Sequence, residues 1–148
     1  MLTDGYNPFA QTRFQVPSAL KNILEDYSGR TAQAESQNVF NRQMDCFLLA
    51  AALGARQEIW IDNEEAGVEM DGFVDGNVLK LPEVEFLYML ALQKEDALEI
   101  IQEPNAIVKI AEGYAHGGLP ILEDLLNKGN LSAAANLSRG LNKLLNPK

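Results

Sequence analysis

One cysteine and one histidine are the chain's whole stock of the two side chains that most often carry nucleophilic or soft-metal chemistry. Nucleophilic catalysis needs an activated Cys, Ser or Thr beside a base. Cys46 opens the run Cys46-Phe-Leu-Leu-Ala-Ala-Ala-Leu53, where a thiol is a small packing group with little thiolate character. His116 lies next to Gly117–Gly118, in what reads as a helix-end loop. Carboxylates crowd the stretch from Asp62 to Asp75, so cation binding has to be tested. Asp62 and Gly67 stand at positions 1 and 6 of a calcium-type loop, but positions 5 and 12 are Ala66 and Phe73, which offer no side-chain oxygen. No Lys-Ser/Thr follows the glycine pair and no G-x-G-x-x-G is present, so a phosphate cradle is not indicated. Neighbouring acids such as Glu64–Glu65 and Glu95–Asp96 have no apolar setting that would raise a pKa for acid catalysis. These residues predict no catalytic site, no metal and no cofactor: a protein that is not an enzyme.

Contact chemistry is better represented. From Leu131 to Lys148 the tail carries Arg139, Lys143 and Lys148 and no acid, beside a broad face that includes Leu137, Leu141 and Leu144. Such a face either docks on the domain's own core or is covered by another chain. Leu137, Arg139, Leu141, Lys143 and Leu144 are therefore candidate partner-binding residues. Tyr114 and His116, at the glycine-rich corner, are candidates for a second contact.

The elements that must position them read as helices. Residues 1–16 look irregular, broken by Gly5 and Pro8. Leu20, Ile23, Leu24 and Tyr27 make a first helical stripe that Gly29 stops. Thr31–Gln37 is a polar connector. A second helix, capped by Ser36, places Phe40, Met44, Phe47, Leu48 and Ala51 on one face and ends at Gly54. Residues 56–80 form a short irregular or β-hairpin-like acidic insertion, with strand character at Ile59–Ile61 and Phe73–Val74. Pro82 starts another helix, a break follows near Lys94–Glu95, and Pro104 opens the next. Gly117–Gly118 should end that one, and Pro120 should start a short helix closed by Gly129. The fold class is mainly α: one compact helical domain over residues 1–148, of about five to seven helices, with residues 131–148 as a C-terminal amphipathic helix.

At 148 residues with 47% apolar composition the chain can build one core. The formal charge of −9 is uneven: residues 60–103 carry twelve acids against Lys80 and Lys94, whereas residues 104–148 are net positive. Without clustered Lys and Arg, tight binding of nucleic acid by the protein alone is not expected. The opening MLTDGYNPFAQTRF lacks the basic and apolar regions of a secretory signal. The longest apolar stretch is too short for a bilayer, so no membrane contact is expected and the cytoplasm is the natural compartment.

Two segments resemble a known family. One is Met44-Asp-Cys-Phe-Leu-Leu-Ala-Ala-Ala-Leu-Gly-Ala55. The other runs from Glu85-Phe-Leu-Tyr-Met-Leu-Ala-Leu92 through Leu98-Glu-Ile-Ile101 to Glu112-Gly-Tyr-Ala-His-Gly-Gly-Leu119. Together, over residues 38–128, they resemble small accessory proteins associated with DNA phosphorothioation (Dnd) systems, which are prokaryotic defence loci. The resemblance implies a non-catalytic accessory or scaffolding subunit of an anti-phage assembly, with other subunits or further copies of itself as partners. It supplies no catalytic residue. A stand-alone acidic inhibitor or DNA mimic that binds a basic nucleic-acid enzyme is the alternative.

Overall fold

The computed structural model describes residues 7–29, 32 and 37–146. Among them, six α-helices and two strands follow in the order β1 (Arg13–Pro17), α1 (Lys21–Asp26), α2 (Gln43–Arg56), α3 (Asn63–Ala66), β2 (Met70–Asp75), α4 (Leu81–Glu95), α5 (Pro104–Asn127) and α6 (Ala133–Leu145). The class is mainly α, as the periodicity predicts.

Residues 7–12 form an irregular turn, as expected, but from Arg13 the N-terminal segment is a strand. Phe14 and Val16, two residues apart, point to one side of a strand and are fully buried, as is Phe9 before them. β1 pairs antiparallel with β2, matching Phe14 to Val74 and Val16 to Asp71, with a bulge between Phe14 and Gln15. The acidic insertion does contain a strand at Phe73–Val74, but its partner comes from the distant N-terminal segment and not from a neighbouring strand of the insertion. Ile59–Ile61, expected to be extended, joins no sheet. Phe14, Phe47 and Phe73 tie the two-stranded sheet to α2, with ring centroids 5.5 and 5.3 Å apart.

α2 starts later than its Ser36 cap suggests, since Arg42 occupies the cap position; Ser36 and most of the Thr31–Gln37 connector lie outside the described residues. Asp45 in the first turn accepts from the Arg42 backbone N–H at 3.1 Å, and the Arg42 side chain pairs with both Asp45 and Glu83, joining α2 to the start of α4. Phe40 precedes the helix in an isolated bridge with Ser28.

The largest departure concerns glycine and proline. Gly54 does not end α2, and Gly117–Gly118 with Pro120 do not end α5, which runs unbroken for 24 residues. The reason is packing. A Cβ on Gly118 would overlap the Ala50 carbonyl oxygen, and one on Gly54 would overlap the Tyr114 carbonyl oxygen. These glycines let two helix backbones touch, and the buried row Ile107, Ala111, Ala115, Leu119, Leu122 and Leu126 carries the helix straight past Pro120. Pro120 faces solvent, which limits the cost of the lost backbone donor. α5 is thus the central rod against which α2, α4 and α6 pack.

Candidate functional site

Beside α5, a cleft of about 570 Å³ opens between the sheet and α3. The Asp62 carboxylate caps α3 by accepting from the backbone N–H groups of Glu64 and Glu65, each at 3.1 Å, and Gly67 closes the helix in the left-handed region at φ 68°. This short acidic helix is fastened to α5: Asn63 Nδ2 donates to the Glu112 carbonyl at 3.4 Å, and the Asn63 side-chain oxygen lies 2.5 Å from His116 Nδ1. Trp60, half-buried just upstream, donates from its indole N–H to the Ile110 carbonyl at 2.9 Å. The Lys94 ammonium sits 4.3 Å from the centre of its ring.

At the floor lies Glu112, only 8% exposed. One carboxylate oxygen accepts from the Gln15 backbone N–H of β1 at 2.9 Å. Glu112 forms no ion pair among the described residues: the nearby Lys109 is exposed and reaches Glu64 instead, at 3.3 Å. Burial pushes the Glu112 carboxyl up to about 7, against the smaller opposing effects of the Gln15 hydrogen bond and the Lys109 charge. Reading the sequence for neighbouring pairs of acids misses this residue. Its signal is a lone charge among Val108, Ile110, Ala111, Tyr114 and Ala115, on the buried side of the helix.

The residues singled out from the sequence are distributed differently from expectation. Cys46 is fully buried in α2 beside Ser28, and burial pushes its thiol up to about 12. His116 is in the middle of α5, not in a loop; desolvation lowers its pKa, and its ring faces Asn63. No hydrogen bond joins Cys46 to His116 among the described residues. Tyr114 is 7% exposed and presents little surface for a contact, because the continuous helix turns it into the core.

α6 packs on α5, and this removes Leu137 from the contact face: it is 7% exposed. Asn136 locks the docking, donating to the carbonyls of Leu126 and Leu131 at 3.0 and 3.1 Å. Arg139 and Lys143 remain exposed, and Leu141 and Leu144 are partly covered. Arg139, Lys143 and Lys128 rim a groove of about 370 Å³ whose inner wall is Leu125, Gly140 and Leu144. No helix among the described residues is long and apolar enough to cross a membrane.

The sequence matches the family model described as DNA sulphur modification system-associated protein 4 over residues 13–146. The match reaches beyond residues 38–128 at both ends, so β1 and α6 fall within the shared region. No curated protein and no solved structure matches the chain.

Proposed function

The chain belongs to the family of DNA sulphur modification system-associated protein 4, and from that premise we propose that it is a non-catalytic accessory subunit of a multi-protein anti-phage complex in the cytoplasm. It acts by contacting the proteins that carry the catalysis. The observation that carries this reading is the acidic flank formed by α4 and the turn after it. Met89 and Leu98 are 68% and 74% exposed there, among Glu85, Glu95, Asp96 and Glu99. Large apolar side chains held in water beside carboxylates suit a partner with an apolar centre and a basic rim. Covering each contributes on the order of 1.5–3 kcal/mol before the cost of association. The α6 groove, with Arg139, Lys143 and Leu144, supplies a contact of opposite sign. The inert Cys46 thiol and the engaged His116 ring support the non-catalytic part of the reading.

The test is co-expression with the other proteins of the DNA sulphur modification system. The wild-type chain should co-purify with at least one of them, and a Met89→Asp, Leu98→Asp double variant should lose it while keeping the wild-type melting temperature. A folded variant that still co-purifies in full would refute the assignment of this flank.

A further inference from the structure

A carboxylate that is more than nine-tenths buried and has no ion-pair partner among the described residues is costly, and here it faces an open cleft. One Glu112 oxygen is committed to the Gln15 N–H; the other has no hydrogen-bond partner among the described residues. The cleft rim adds Asp62 and Glu64, and its wall is the Trp60 indole. We propose that this cleft is a socket for an arginine side chain of a protein partner, with the guanidinium meeting Glu112 and lying along Trp60. The proposal rests on the accessory reading above and names the chemistry of one contact.

The alternatives fit less well. An anion would meet three carboxylates against the single Lys109 ammonium, which is already held by Glu64, and a neutral guest would leave the Glu112 charge unpaired in a drier environment than before. A metal ion lacks donors: no three His, Cys, Asp or Glu side chains converge among the described residues. A planar guanidinium satisfies the free carboxylate oxygen while its face covers an aromatic ring, a pairing that a compact ammonium makes less well. Trp60 already accepts one cation, Lys94, over its ring.

The charged and titratable groups around Glu112 are Lys109 and His116 on its own helix, with Asp62 and Glu64 on the α3 segment; β1 and β2 present Gln15 and Met70, which carry no charge. Binding a cation draws the proton off Glu112, so affinity falls as Glu112 protonates. Protonation of His116 at low pH acts in the same direction, and repeating the titration with a His116→Gln variant separates the two.

Trp60 is the only tryptophan, so intrinsic fluorescence reports on the cleft directly. The full chain is titrated with N-acetyl-arginine amide, with the isosteric but neutral N-acetyl-citrulline amide as control. At about pH 8 the arginine derivative should give a saturable change and the citrulline derivative none. At about pH 5.5 the affinity should be weaker by roughly thirtyfold or more, because a carboxyl held at about 7 is then mostly protonated. Glu112→Gln keeps an oxygen for the Gln15 N–H and should fold, yet lose binding at both pH values. The proposal fails if the wild type shows no saturation, if citrulline binds equally well, or if Glu112→Gln binds as the wild type does. It also fails if guanosine saturates the cleft while the arginine derivative does not, which would make this a nucleobase site. No partner is needed for the titration, so its failure would leave the co-purification result standing, and loss of co-purification would leave the socket standing.

Discussion

Glu112→Gln should make the protein more stable, and by an amount that depends on pH. A carboxyl held at about 7 in place of its ordinary 4.5 has its charged form disfavoured by about 3 kcal/mol in the folded state. The raised value means that the folded chain holds this proton more tightly than the unfolded chain between pH 4.5 and about 7. The wild type is therefore least burdened below 4.5 and loses stability as pH rises through about 7. Glutamine carries no charge to bury and retains the acceptor for the Gln15 N–H. The variant should match the wild type within a few tenths of a kcal/mol at about pH 4.5, and exceed it by about 3 kcal/mol at about pH 8. For a chain of this length that corresponds to roughly 6–12 °C in melting temperature at the higher pH. His116, whose pKa is lowered by desolvation, has the opposite slope, losing stability as pH falls through its unfolded value. It is present in both proteins and cancels in the difference. Thermal or urea unfolding at a series of pH values measures that difference directly. Equal stability of the two proteins at pH 8, or a difference that does not grow with pH, would refute the claim that Glu112 is a buried, unpaired charge.

Cys46→Ala should cost about 1–2 kcal/mol and leave partner binding intact, and the native thiol should react with a labelling reagent only on unfolding. Gly118→Ala should be severely destabilising, on the order of 3 kcal/mol or more, because the added methyl overlaps the Ala50 carbonyl, which is backbone and cannot step aside; an unchanged melt would refute the close contact of α2 and α5. Deleting residues 131–148 should lower the cooperative melting temperature, since Ala133, Asn136 and Leu137 are buried; a truncated chain with full stability would show that α6 is an appendage. The protein alone should show no sub-micromolar, salt-sensitive affinity for duplex DNA in an anisotropy assay, given the acidic flank.

The sequence by itself determined the helical class, the buried sides of its helices and the starts marked by Pro82 and Pro104. Those features are written in local spacing: a 3.6-residue apolar period needs no knowledge of the partner surface, only that one exists. The burial of Cys46 was legible for the same reason, because the apolar run that buries it surrounds it in the chain. The family resemblance over residues 38–128 also stood in the sequence, carried by those packing motifs. Tertiary structure decided wherever a residue's meaning depends on what lies across from it. Gly54, Gly117, Gly118 and Pro120 are helix breakers by intrinsic preference, yet the packing of α5 against α2 (at Gly54 and Gly118) and against Ile59 (at Gly117) turns the glycines into packing surface, and the helix runs on through the proline. Phe14 and Val16 read as part of an irregular segment until Met70–Asp75, far along the chain, supplies the ladder that makes them a strand. Tyr114 and Leu137 were surface candidates, and the length of α5 together with the docking of α6 turned both inward. Glu112 shows the limit most plainly. Its position on an apolar face could be counted from the sequence, but its lack of an ion pair among the described residues depended on Lys109 reaching outward to Glu64, and its cleft on β1 and α3 meeting beside the same helix.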